Sequence, residues 1–285
     1  MVEVGGRDDV HRYARRAKVL DGFRNEPSGD IVRRPWIRGG EDADAHTRIL
    51  PRVQEQLVHD LDAMAEADNY NAWMIDRAAP WLHGRVLDVG AGIGTHTVRL
   101  REFADELVAL EPEAELASML REFVPDVTVV EGDADAVDGP FDTIVCFNVL
   151  EHIADDEGAL RRFSELLAPD GALLLLVPAH PALFGKLDDS FGHERRYTKT
   201  ELQAKLERAG MTAERLRHVN PLGAAGWLIQ SRILRREHLP KSGLTLYDRL
   251  TPLLRAFDAV PLPAGLSLWA VAKTTGTASA SAKSA

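Results

Sequence analysis

The chain has 285 residues, 45% hydrophobic and 27% charged, which is globular composition with enough apolar material to bury a core. Its formal net charge of −10 excludes a general attraction to a nucleic acid backbone, and its single cysteine, Cys146, excludes an intrachain disulfide or a cysteine-cluster zinc site. No apolar run reaches the ~20 residues that span a bilayer, and Arg and Asp occupy the N-terminus where a signal peptide needs an apolar stretch, so a cytoplasmic protein without an integral membrane segment is expected.

Residues 1–45 are polar and interrupted by Gly5-Gly6, Pro27-Ser28-Gly29 and Gly39-Gly40. Only His11–Leu20 has helical character there, and the segment reads as a partly disordered arm. From 46 to 273 strand and helix patterns alternate. Arg85–Val89 is a short strand running into glycines, and Thr95–Phe103 is helical. Glu106–Leu110 is a strand, and Pro112–Phe123 a helix with proline in its first turn. Val127–Glu131 and Phe141–Phe147 are buried strands, Asp155–Leu167 is a helix, and Pro169-Asp170-Gly171 is a turn. Ala172–Val177 is wholly apolar, as a strand covered on both faces of a parallel sheet must be. Thr198, followed three residues on by Glu201, is the N-cap of the next helix, which Gly210 closes. Thr212–His218 and Ser267–Lys273 are the last two strands. Residues 219–263 between them are too numerous for a hairpin turn and too apolar for a free loop. Gly226–Arg236 and Leu244–Phe257 look helical there, giving a helical insertion at the sheet edge. The tail, 274–285, is small and polar, hence unstructured. The rhythm predicts a Rossmann-like, doubly wound α/β sheet.

The glycines follow the first strand, in Val86-Leu87-Asp88-Val89-Gly90-Ala91-Gly92-Ile93-Gly94-Thr95. Glycine lets the backbone turn tightly and come close to a ligand at a helix N-terminus. The G-x-G-x-G spacing is out of register for the dinucleotide fingerprint G-x-G-x-x-G, and no G-K-[ST] follows as a phosphate loop would need.

This D-x-G-x-G-x-G run resembles the class I S-adenosylmethionine-dependent methyltransferases, and further motifs extend the resemblance over roughly residues 66–273. Glu111 ends the second strand, where the family places an acid on the ribose hydroxyls. Gly132-Asp133-Ala134 ends the third, where the family sets an Asp and a neighbouring amide against the adenine. Phe141–His152 is similar to the fourth-strand motif, whose end faces the methyl group. Leu167–Ala172 resembles the turn into strand five, and Asn69–Trp73 the helix covering the methionine moiety. The resemblance implies a seven-stranded mixed sheet with S-adenosyl-L-methionine as cofactor, held by Tyr70, Asp88, Gly90, Gly92, Gly94, Glu111, Asp133, Ala134 and Asn148. The implied acceptor is a small organic molecule, and the acidic surface argues against nucleic acid as acceptor.

Methyl transfer from a sulfonium is an in-line displacement, which needs a placed nucleophile and, for some acceptors, a base. Bases should come from the loops at the carboxyl ends of strands four and five. His180 follows strand five, and either reaches the methyl site or stabilises the loop. His193 and Tyr197, in Asp188–Tyr197, are the other catalytic candidates, against an Arg–Asp network that pins the loop. Asn148, Glu151 and His152 resemble the E-x-x-E-H run implicated in metal binding in a ubiquinone-type subfamily. With Asn148 in place of the first acid, no metal is expected.

The insertion 219–263 carries six Arg or Lys against three Asp or Glu, net +3 on an acidic chain. It reads as a lid, a wall for a hydrophobic acceptor, a homodimer face, or a contact with an anionic membrane. The expected activity is methylation of an oxygen or carbon atom, ahead of nitrogen, because histidine and tyrosine candidates sit near the methyl site. The alternatives are a membrane-associated lipid or quinone methyltransferase and a non-catalytic S-adenosylmethionine-binding regulator.

Overall fold

The structure is a computed structural model that describes residues 64–236, 241–258 and 263–275. The N-terminal arm and the tail expected from the sequence lie outside the described residues, apart from Thr274 and Thr275.

Seven strands form one sheet: β1 Arg85–Val89, β2 Glu106–Glu111, β3 Thr128–Glu131, β4 Phe141–Phe147, β5 Leu167–Pro178, β6 Met211–Val219 and β7 Ser267–Thr274. Their spatial order is β3-β2-β1-β4-β5-β7-β6, with the first five parallel and β7 antiparallel to both its neighbours. The helices are α1 Asp68–Ala78, α2 Thr97–Leu100, α3 Ala114–Phe123, α4 Asp156–Leu166, α5 Lys186–Phe191, α6 Lys199–Arg208, α7 Pro221–Trp227 and α8 Lys241–Asp258.

Period-two alternation builds the layers. Leu173, Leu175 and Val177 of β5 point to one face, where Leu160 and Phe163 of α4 and Leu202 and Leu206 of α6 cover them. Ala172, Leu174 and Leu176 point to the other, under Trp73 and Met74 of α1, with Leu244 and Tyr247 of α8 packed alongside. A strand sandwiched in this way must be apolar throughout, as Ala172–Val177 is. Cys146 of β4 sits between β1 and β5 with no exposed surface.

Local chemistry accounts for the departures from the expected boundaries. The helix expected over Thr95–Phe103 shrinks to α2. Gly94, at φ +83°, lies with its Cα against Leu120, where a Cβ would come within 2.8 Å of the Leu120 side chain, and the chain is still turning until Thr97. Pro169-Asp170-Gly171 is not a free turn. β5 already pairs at Leu167, and the register shifts between Phe141 and Thr143, where a Cβ on Gly171 would come within 2.8 Å of the Phe141 carbonyl oxygen. The first insertion helix starts earlier than expected, at Pro221, with the Asn220 side chain accepting from Gly223 N at 2.8 Å. It then widens into a π-helical turn, Leu228–Ile233. The N-cap at Thr198 is as expected, its hydroxyl accepting from Glu201 N at 3.1 Å.

Candidate active site

The carboxyl ends of β1, β4 and β5 open into a cavity of about 450 Å³. Gly90 and Gly92 line it from the loop after β1, and both have positive φ, +66° and +56°. A Cβ on Gly90 would run into Val149, so a side chain is excluded there on two grounds. Gly90 N and Ala91 N are bound to Leu110 O, and Gly92 N donates to Glu111 Oε2 at 2.7 Å. The loop is therefore braced by the next strand. Asn148, held at φ +53° after β4, lines the same cavity, and Tyr70 of α1 closes its roof.

The remaining cofactor residues are placed differently. Asp88 lies behind the loop, 4% exposed, and accepts from the Thr97 hydroxyl at 2.7 Å. It ties β1 to α2 and is not among the residues lining the cavity. Gly94 likewise packs against α3 and is not among the residues lining the cavity. Glu111 stands at the end of β2 with Oε1 accepting from Glu113 N at 3.0 Å, and its second lone pairs remain for hydroxyl donors. Asp133 caps the turn after β3, accepting from Asp135 N, beside the buried Ala134. Glu111, Asp133 and Ala134 thus mark the ends of β2 and β3, on the side of the loop away from the main cavity. A bare-backbone turn, an adjacent acid and a cavity at the ends of β1 and β4 fit a nucleoside with a charged chain.

Burial acts on these acids. It pushes the Asp88 carboxyl up to about 7, against the pull of the Thr97 hydrogen bond. Burial also lifts Glu111 to about 7, while the backbone amides of Glu113 and Gly92 oppose it.

The opposite wall is built by the loop after β5. Asp188, in α5, has no exposed surface, and its Oδ1 takes His193 Nδ1 at 2.9 Å and Arg196 Nε at 2.7 Å. Its Oδ2 takes Gly185 N at 2.9 Å and Trp227 Nε1 at 3.2 Å. Burial alone would raise the Asp188 carboxyl, but His193 and Arg196 together hold it below its ordinary value. With Asp188 ionised, His193 donates through Nδ1, and Nε2 is left as the acceptor nitrogen. His193, Arg196, Phe191 and Trp227 all line the cavity. Arg196 lies over the Trp227 ring at 4.7 Å, and the Phe191 and Trp227 rings stack at 6.1 Å.

Of the three catalytic candidates, the cavity takes only His193. Tyr197 is fully buried, with its hydroxyl donating to Asp156 Oδ2 at 2.9 Å and to Leu150 O at 3.2 Å. It pins the loop onto α4, and burial pushes the phenol well above its ordinary range. His180 stacks on His218 at 4.7 Å, outside the cavity lining, with Nε2 accepting from Gly265 N. The expected Arg–Asp network is present as Arg196–Asp188 and Arg195–Asp156.

The sequence places Glu151 in the E-x-x-E-H-like run without indicating its burial. It has no exposed surface, its two carboxylate oxygens have no hydrogen-bond partner among the described residues, and Oε1 lies 3.8 Å from His193 Nε2. Burial pushes it up to about 7, with His193 pulling the other way. Glu151, His152 and His193 bring their ligand atoms within 4.8 Å of one another, so the trio differs from the expected Asn148, Glu151 and His152. One carboxylate with two imidazoles is a poor set for a hard cation such as Mg²⁺. Gln230 passed unnoticed. It lines the cavity from the π turn with Oε1 buried and unpartnered among the described residues. No sequence signal marks Gln230 or the burial of Glu151, because burial is a tertiary property.

The methyltransferase-domain family matches residues 51–225, more than half of the chain. The chain belongs to this family, the class I S-adenosylmethionine-dependent methyltransferases. A ubiquinone biosynthesis O-methyltransferase of Xanthomonas euvesicatoria is 30% identical over 151 residues, 46% of this chain and 63% of that protein. The uncharacterized methyltransferase YcgJ of Bacillus subtilis is 27% identical over 166 residues, 52% of this chain and 65% of that protein. The chain thus spans less than two thirds of the length of these relatives. Two solved S-adenosylmethionine-dependent methyltransferases share the fold. That of Mesorhizobium loti has TM-score 0.51 at 17% identity, covering 72% of this chain and 99% of the other. That of Clostridium acetobutylicum has TM-score 0.52 at 12% identity, covering 78% and 99%.

Two outcomes follow from this geometry. Glu111→Ala removes the brace on Gly92 and a hydroxyl acceptor together, and should weaken S-adenosylmethionine binding by about 10- to 100-fold in calorimetry of the folded protein. An unchanged affinity rejects the ribose assignment. Asp88 has a folded-state value near 7 against 3.8 in the free residue, so its ionisation costs stability progressively between those values and fully above them. Asp88→Asn, which keeps an oxygen for Thr97, should therefore gain melting temperature relative to wild type as the pH rises from about 4 to about 7. A difference independent of pH rejects a raised Asp88.

Proposed function

We propose that the protein transfers a methyl group from S-adenosylmethionine to an oxygen or carbon atom of a hydrophobic small-molecule acceptor, with His193 as general base. The observation that carries this reading is the Asp188–His193 hydrogen bond of 2.9 Å on the wall of a cavity whose other wall is the glycine loop. Asp188 fixes the imidazole tautomer and orientation, and its charge stabilises the imidazolium that forms when Nε2 takes the acceptor's proton. Glu151, lifted to about 7 by burial, gains its proton as the pH falls through that value. When bound, S-adenosylmethionine supplies a sulfonium-activated methyl carbon. The chain's own task is then to position the acceptor atom, shield it from water and remove its proton.

Phe191 and Trp227 present flat apolar surfaces beside His193, which supports an acceptor with an aromatic or otherwise planar apolar body. Gln230 Oε1 offers it a hydrogen-bond acceptor. The Xanthomonas relative, named for ubiquinone biosynthesis, points the same way for the acceptor class.

His193→Asn and Asp188→Asn should each lower the maximal rate on an identified acceptor by about 10²–10⁴-fold, with S-adenosylmethionine affinity changed little. His180→Asn should retain near-normal turnover. Near-normal turnover in His193→Asn leaves positioning alone as the mechanism and removes the base from this proposal. Exhaustive chelation should leave the rate intact, measured as S-adenosylhomocysteine release by mass spectrometry. A loss that Mg²⁺ restores overturns the metal-free reading.

A further inference from the structure

Seven of the eight exposed large hydrophobic residues among the described residues fall between Leu222 and Leu250, on α7, the π turn and α8. The π turn is inside out. Ser231 is buried, its hydroxyl accepting from Leu187 N, while Ile229 and Ile233 are 47% and 65% exposed. An amphipathic helix docked on a core places these types the other way round. α8 repeats the pattern. Tyr247, Asp248 and Thr251 face inward, with Asp248 accepting from Tyr70 N and Asn69 Nδ2, while Leu246 and Leu250, four residues apart, are 60% and 43% exposed. The inner sides of α7 and α8 are thus polar or bound to the cavity, and their outer sides are apolar.

Arginines accompany this face. Arg232, Arg235, Arg236 and Arg249 are exposed, and the last three form no ion pair among the described residues. Asp248, the acid of this stretch whose side chain the structure describes, is buried. An exposed apolar surface with unpaired arginines, on a chain of net charge −10, has the composition of an interfacial membrane contact. A second copy of the chain fits less well, because a two-fold contact through this face would set the arginine clusters against each other. No described helix is long and apolar enough to cross a membrane, so the contact would be peripheral.

We propose that the outer face of α7, the π turn and α8 docks on an anionic lipid bilayer, with Ile229, Ile233, Leu246 and Leu250 entering the interface and Arg235, Arg236 and Arg249 meeting lipid phosphates. Leu222, Gly226, Trp227 and Leu244 of the same helices line the cavity, so docking places the acceptor end one helix thickness from the membrane. An acceptor dissolved in the bilayer fits that placement. This last step rests on the methyl-transfer reading, whereas the docking surface does not.

The test is co-sedimentation of the full chain with vesicles of phosphatidylcholine alone and with about one third phosphatidylglycerol. Neither arm depends on turnover, so failure of docking and failure of the methyl-transfer reading are distinguishable. Wild type should bind the anionic vesicles at least about tenfold better than the neutral ones, and added salt should weaken binding. Ile233→Glu/Leu246→Glu and Arg236→Glu/Arg249→Glu should each lower binding about tenfold or more, with the far-ultraviolet spectrum and S-adenosylmethionine affinity retained. Three results overturn the proposal. They are no binding of wild type to anionic vesicles, binding indifferent to both double substitutions in folded protein, and a wild-type dimer in analytical ultracentrifugation that Ile233→Glu/Leu246→Glu dissociates.

Discussion

Four donors from three segments converge on the Asp188 carboxylate: the Gly185 amide, the His193 imidazole, the Arg196 guanidinium and the Trp227 indole. Arg196 in turn donates to Ala179 O, just past the end of β5. One buried anion thereby fastens the loop after β5 to the sheet on one side and to α7 on the other. Charged groups held in this way are costly to expose singly, since removing one partner leaves the other buried without compensation. The loop that carries His193 therefore has one low-energy arrangement, and the imidazole stands in the cavity wall as part of it.

The cavity joins two surfaces of different construction. On the cofactor side the contacts are backbone, from a loop held by Leu110 and Glu111 and emptied of side chains by positive φ at Gly90 and Gly92. On the acceptor side they are side chains with flat rings and one oriented histidine. A bare-backbone surface suits a cofactor shared across a large family, because it does not depend on residue type. Side chains on α5, α7 and the π turn can change without disturbing the sheet, which is where acceptor choice resides in folds of this kind.

Strand positions were legible because burial on two faces demands unbroken apolar runs, and Arg85–Val89 and Phe141–Phe147 match the observed limits residue for residue. The loop glycines, Glu111 and Asp133 were legible as a series of strand ends. Direct contact was not, since Asp88 and Gly94 turn away from the cavity to hold α2 and α3 in place. The loop after strand five was legible as a cluster of candidates and no further. His180, His193 and Tyr197 lie within eighteen residues of one another, and only tertiary packing sends them to a histidine stack, a cavity wall and a buried brace. Glu151 is the sharpest case. Its place in the E-x-x-E-H-like run was legible, whereas its full burial beside His193 was not.

β7 is the last strand in the sequence yet lies between β5 and β6, and β6 has no other neighbour. As the chain leaves the ribosome, β6 emerges some fifty residues before the strand that will hold it, together with the whole of α7 and α8. Trp269 of β7 then fills the core beneath α1. The nascent chain consequently carries an unpaired edge and an uncovered apolar layer until β7 has been made. Arrested synthesis or proteolysis ahead of Ser267 would strand the protein in that half-closed form, with five parallel strands assembled and both the acceptor wall and its edge strand adrift.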